Sequence, residues 1–175
     1  IWTQSNITSK VFRCVYYANG IWVAGSYRNG LYYSTDGKTW TQSNITSGNF
    51  SSIYNANGIW VAGSYSNNGL YYSTDGKTWT QSNMTSDNFY CVYYANGIWV
   101  AANNGDNNGL YYSTDGKTWK QSNITSDNFY CVYYANGIWV AGSYSYKGLY
   151  YSTDGKTWKQ SNKISDDFYC VYYAN

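Results

Sequence analysis

The sequence predicts an all-β protein built from four-stranded antiparallel units, and three observations carry that prediction. The string GLYYSTDGKTW recurs at residues 30–40, 69–79, 109–119 and 148–158. Measured on its aspartates, Asp36, Asp75, Asp115 and Asp154, the period is 39, 40 and 39 residues, the size of one supersecondary module copied in tandem. Composition agrees: 24 Tyr, 9 Trp and 5 Phe stand beside no Pro, no His and no Glu, a mixture rich in strand formers and poor in helix formers.

Residues 89–122 show one repeat in full. The run 89–95 is a first strand, and Asn96-Gly97 ends it with a strong short hairpin signal, because both central residues of a type I′ turn need positive φ. Residues 98–101 return as a second strand. The polar stretch 103–108 leads into a third at 109–112, and Asp115-Gly116 turns the chain into a fourth at 118–121. Gly and Asn recur too often for a helix to survive.

A four-stranded meander in about 40 residues has the size and content of a β-propeller blade. The units run 12–49, 50–88, 89–128 and 129–167 within a single repeat domain, 1–175. Segments 1–11 and 168–175 are half-repeat remnants, since Ile1-Trp2 matches Thr39-Trp40 and Asn175 matches Asn19. The chain reads as four complete blades plus a split half blade, either excised from a longer array or engineered. A fourth strand at 1–6 and a first strand at 168–175 would be the outer and inner strands of a blade without its middle hairpin. Open blade edges of that kind predict self-association or completion by a longer parent chain. The alternative is a β-solenoid, because Trp60, Trp79, Trp99, Trp119 and Trp139 recur about every 20 residues. The Asn-Gly and Asp-Gly turns favour the propeller, since solenoid coils run parallel and make no tight reversals.

Ser113-Thr114-Asp115-Gly116-Lys117-Thr118-Trp119 resembles the Asp-box, S-x-D-x-G-x-T-W, of BNR-type propeller repeats in sialidases, sortilin-type receptors, some glycoside hydrolases and photosystem assembly factors. The resemblance extends to Ser34, Asp36, Gly37 and Trp40, to Asp75, Gly76 and Trp79, and to Asp154, Gly155 and Trp158, as it does to Asp115, Gly116 and Trp119. It implies a structural turn between third and fourth strands, away from the ligand face. It does not bring sialidase activity. That activity uses an arginine triad, a Tyr/Glu nucleophile pair and an Asp acid/base, and this chain has only Arg13 and Arg28 and no Glu. Glycosidases in general need two carboxyl groups at a controlled separation. Outside the boxes stand Asp87, Asp106, Asp127, Asp166 and Asp167, and those between blades read as solvated turn residues.

No histidine is present to act as a general base, and no Gly-rich strand-to-helix loop to hold phosphates, so the expectation is a non-enzyme without cofactor. Cys14, Cys91, Cys131 and Cys170 share one repeat position, filled by Ser52 in the remaining copy. They read as a small buried thiol rather than a disulfide framework or a metal site. A net charge of +2 from 11 basic and 9 acidic residues is too small and dispersed for a nucleic-acid partner, and no run is apolar enough for a membrane span.

Differences between the copies are localised. The Ala-Asn-Gly turn and the box never change, whereas the link between second and third strands and the link between blades both vary. Antiparallel strands put the two constant turns at one end of the blade and the two variable links at the other. The variable end is the expected ligand face: Tyr27, Tyr65, Tyr144 and Tyr146 as stacking residues, with Arg28, Asn67, Asn104, Asp106 and Lys147 as polar partners. Three classes follow: a multivalent lectin-like module for a glycan, a structural or adhesive scaffold for a surface protein, and a designed or amplified repeat with no selected ligand. An extracellular or cell-surface setting is favoured. The sequons at Asn6, Asn44, Asn83 and Asn123 read as copies of one strand-four exit.

Overall fold

The computed structural model describes residues 3–66, 68–144, 146–162 and 166–173. Each repeat forms one antiparallel sheet with its strands in chain order. The first holds β1 (Phe12–Ala18), β2 (Ile21–Ser26), β3 (Leu31–Ser34) and β4 (Thr41–Gln42). The second holds β5 (Phe50–Ala56), β6 (Ile59–Ser64), β7 (Leu70–Ser73) and β8 (Thr80–Gln81). The third holds β9 (Phe89–Ala95), β10 (Ile98–Asn103), β11 (Gly109–Ser113) and β12 (Lys120–Gln121). The fourth holds β13 (Phe129–Ala135), β14 (Ile138–Ser143), β15 (Leu149–Ser152) and β16 (Lys159–Gln160). This consecutive antiparallel order removes the solenoid alternative. No helix occurs among the described residues.

The hairpin chemistry is as the sequence requires: Asn96 and Gly97 take φ of 48° and 79° between β9 and β10. The fourth strand is shorter than expected, two residues rather than four. Thr118 gives its N–H to the Asp115 carboxylate, and the N–H and C=O of Trp119 are both taken by the Asn83 side chain. Those groups are therefore spent before the ladder begins.

Each first strand also carries a bulge. Phe12 pairs with Ser26 and Cys14 with Gly25, which leaves Arg13 outside the ladder. Ser51, Tyr90 and Tyr130 are left out in the same way between their own neighbours.

The core lies between blades rather than within them. Val23 and Leu31 of the first blade pack with Phe50, Ile53, Trp60, Ala62 and Trp79 of the second, and this cluster is repeated at the next two junctions. Each sheet is thus half of a sandwich whose other half is its neighbour. The outermost faces have no such cover: Val15 is 56% exposed, whereas its counterparts Ile53, Val92 and Val132 are 3–6% exposed.

The terminal segments differ from expectation. Residues 3–11 and 168–173 form no strand among the described residues, because no second- or third-strand neighbour stands beside them to pair with. They still pack. Asn6 bonds both the N–H and the C=O of Trp40, and Phe168 donates its N–H to Ser143.

Candidate functional site

The two ends of a blade differ chemically. At the constant end Asp115 Oδ1 accepts from the N–H groups of Lys117 and Thr118, both at 2.8 Å, and from Ser113 Oγ at 2.9 Å. Ser113 Oγ in turn accepts from the Gly116 N–H at 2.9 Å. The other three copies repeat these bonds around Asp36, Asp75 and Asp154.

The N–H donors from Thr39 and Lys38, with Ser34, hold the Asp36 carboxyl down at about 2. Burial works against charge on Asp75, Asp115 and Asp154, but the same set of bonds outweighs it and leaves all three lowered. Gly116, at φ 72°, faces Ile59 and Val61 of the preceding blade, and a Cβ there would lie 3.0 Å from the Ile59 methyl. Trp79, Trp119 and Trp158 close the same junctions and are 2–3% exposed. In each copy the glycine directly follows the aspartate, one residue sooner than in the Asp-box pattern. One oxygen of each carboxylate, Oδ1, is thus held by its own turn.

At the other end the two variable links are tied together. The N–H of Tyr27 bonds the Val11 carbonyl at 2.7 Å, and Tyr65, Asn104 and Tyr144 bond Asn49, Asn88 and Asn128 at 2.9–3.0 Å. Both links therefore form one surface. Its polar groups partly hold each other. Asn49 Oδ1 accepts from the Arg28 N–H, and Asp167 Oδ1 from the Tyr146 N–H, each at 2.7 Å. Asp87 departs from the solvated reading: it is 3% exposed and accepts from Asn107 N and Nδ2, because the longer third-blade link folds back over it. Asp127 likewise accepts from the Tyr150 hydroxyl.

The bulges aim their side chains into this surface. Tyr65 stacks on Tyr90 with centroids 5.5 Å apart, Tyr90 meets Tyr130 at 4.7 Å, and Tyr130 meets Tyr144 at 5.6 Å and Tyr169 at 5.2 Å. At the first-blade end Arg13 sits 5.4 Å from the Tyr27 ring and 5.9 Å from Tyr65, while Arg28 lies 4.7 Å over Tyr27. The result is one continuous arc with two guanidinium groups at one end.

Burial raises the Tyr65 hydroxyl above its usual value, with Arg13 pulling against it. Burial and then the neighbouring rings of Tyr90 and Tyr144 raise Tyr130, with Asn104 pulling against them. These phenols are thus neutral hydrogen-bonding groups at ordinary pH. The Tyr65 hydroxyl is buried and has no hydrogen-bond partner within the protein.

Of the residues expected from sequence, Tyr27, Arg28, Tyr65 and Tyr144 enter the arc, and Asn104 stands at its edge. Asp106, Tyr146 and Lys147 are exposed on the links beside it, Tyr146 at 70%. Asn67 lies outside the described residues. Sequence reasoning missed Arg13, Tyr90 and Tyr130. A signal was present, for this single strand position reads Arg13, Ser51, Tyr90, Tyr130 and Tyr169 across the copies.

The cysteine position serves packing at Cys14, Cys91 and Cys131, whereas Cys170 departs from the buried-thiol expectation and is exposed. Cys14 and Cys91 point at main-chain carbonyls of the neighbouring blade at 3.7 Å, and Ser52 there accepts from the Val92 N–H at 2.9 Å. Burial pushes Cys14 up to about 12 and Cys91 to about 11, which keeps both as thiols. No three His, Cys, Asp or Glu side chains gather among the described residues, and no helix there is long and apolar enough to cross a membrane.

No protein-family model matches the chain, and no curated protein matches it in sequence. Solved structures do resemble it. The computationally designed Ika8 protein is similar with a TM-score of 0.66 and 9% identity over 92% of this chain, which spans 52% of Ika8. An ancestral GH74 enzyme is similar at 0.66 and 20% identity over 86% of this chain and 24% of its own length. YCF48 bound to D1 peptide is similar at 0.62 and 17% identity, with 94% of this chain and 58% of that one covered. At these identities the likeness is one of fold, and with the four antiparallel sheets it identifies an all-β chain of β-propeller blades.

Proposed function

We propose that this chain is a non-enzymatic binding module, lectin-like in mode, whose ligand face is the end bearing the β2–β3 type links and the interblade links. The observation that supports it most is the aromatic arc from Tyr27 through Tyr65, Tyr90 and Tyr130 to Tyr144, built from residues of the links after the second strands and, at Tyr90 and Tyr130, from first-strand bulges. Ring faces stack on the apolar faces of sugars, and neutral phenols and side-chain amides bond their hydroxyls. Because the rings run from blade to blade, an extended glycan engages several of them at once, and affinity grows through effective concentration. Asn67, Asp106, Tyr146 and Lys147 complete the face as polar and stacking neighbours.

The four Ser-Thr-Asp-Gly-Lys-Thr-Trp turns are read here as shortened Asp-box turns with a scaffold role only. The capture of each Oδ1 by its own turn supports that reading.

A glycan array tests the main proposal. Binding to extended glycans that drops at least tenfold in Tyr65→Ala and Tyr90→Ala is expected. An array without hits, with the variants indistinguishable from the parent, removes it. A protein-interaction scaffold is the second reading, favoured by the likeness to YCF48 in its complex with D1 peptide and by the paired Arg13 and Arg28. Binding on a peptide array that is lost in Arg13→Ala, with no glycan retained, would favour it over the first.

A further inference from the structure

The first and fourth blades expose the two halves of an interface that the chain builds three times within itself. At each internal junction a Val/Leu pair from one blade enters a recess on the next. Val23 and Leu31, Val61 and Leu70, and Val100 and Leu110 are all 0% exposed in these positions. The fourth blade carries the same pair, Val140 and Leu149, and there both are only half-buried. The first blade carries the matching recess, where Phe12, Val15, Ala24 and Trp40, together with Ser5 and Ile7 of the N-terminal segment, line a hollow of about 230 Å³.

The complementarity also runs the other way. Tyr93 of the third blade meets the Trp139 ring of the fourth, and Ala95 and Ile98 pack against the same core cluster. Their counterparts Tyr133, Ala135 and Ile138 on the fourth blade line a hollow of about 310 Å³ together with Val171, Tyr172 and Tyr173 of the C-terminal segment. Trp22, the first-blade counterpart of Trp139, is half-buried, whereas Trp60, Trp99 and Trp139 are 0–2% exposed.

We propose that these faces are a docking surface for a second copy of this chain, joined head to tail, with the fourth blade of one copy against the first blade of the next. Val140 and Leu149 then fill the recess at Phe12 and Val15, and Trp22 enters the hollow at Tyr133 and Ile138. Each terminal segment is a placeholder for its counterpart in the partner. Asn6 bonds Trp40 as Asn44, Asn83 and Asn123 of a preceding blade bond Trp79, Trp119 and Trp158. Asn162 occupies that position in the fourth blade and takes over the bond in the assembly. Residues 168–173 run where the partner's β1 would lie: the Cys131 thiol points at the Phe168 carbonyl as Cys14 does at that of Phe50. Docking exchanges these segments for complete blades. The interface is heterologous, so closure gives a ring, and two copies bring it to eight blades, within the range propellers adopt.

Sedimentation of the full chain across concentration tests this. The parent is expected to shift from monomer to dimer or larger assembly. Val15→Asp and Ile138→Asp place a charge on the first-blade and fourth-blade face respectively, at residues 56% and 37% exposed in the single chain. Each is expected to weaken association about 100-fold or more while its circular dichroism and melting match the monomeric parent. An equimolar mixture of the two retains one intact face of each kind and is expected to regain a one-to-one dimer that grows no further. A parent that stays monomeric, a variant that associates like the parent, or a folded mixture that stays monomeric would each overturn the proposal.

Discussion

Each blade has an end where polar groups are closed on themselves and an end where side chains differ from copy to copy. Around Asp115 one carboxylate oxygen meets two backbone N–H groups and a hydroxyl, and the glycine beside it touches the preceding blade. Around Tyr65 a buried hydroxyl has no protein partner, and the contacts are between ring faces. Repetition marks the joints of this molecule, where a change is felt by two blades, and variation marks what those joints hold up.

The sharpest way to break that contrast is at the junction tryptophans. Trp119→Ala empties a fully packed site between two blades and is expected to cost about 3–5 kcal/mol in denaturant unfolding. Trp40→Ala, at an indole that is only half-buried, should cost less than half of that in a monomeric preparation; equal losses would show that cover by a neighbouring blade is not what makes the residue important.

Next comes the turn itself. Asp115→Ala removes three hydrogen bonds at an exposed carboxylate and should cost about 1–2 kcal/mol, measured the same way. Acid probes all four boxes together. Their folded carboxyl values lie below the ordinary 3.8, with Asp36 at about 2. The stabilisation is therefore fully present above pH 4 and is lost as pH falls towards 2. Melting temperature followed through that window should fall in the parent and fall less steeply in Asp115→Asn. The smallest effect belongs to the other end. Tyr146→Ala should shift stability by no more than about 0.5 kcal/mol, and a larger loss would mean that the diversified surface is also scaffold.

Much of the fold was legible because hairpin chemistry is local. Asn96-Gly97 and Asp115-Gly116 announce their turns, and the strands between them could go nowhere else. The short outer strand was not legible, since it depends on Asn83 reaching across from the previous blade to occupy Trp119. The variable end was recognised from differences in link residues such as Tyr27 and Tyr144. The arc itself was hidden, because Tyr90 and Tyr130 sit inside what reads as regular strand, and only a register shift turns them to the surface. Asp87 misled for a similar reason: its burial comes from Asn107, twenty residues later in the chain.

The bulge gives each blade an interchangeable fitting. Phe12 and Cys14 pair with Ser26 and Gly25 just as Phe50 and Ser52 pair with Ser64 and Gly63, although the residue between them is Arg13 in one blade and Ser51 in the other. A side chain outside the ladder can be swapped without disturbing a single rung. The chemistry of that surface can then be rewritten one blade at a time, by point substitution, on a frame that does not notice the edit.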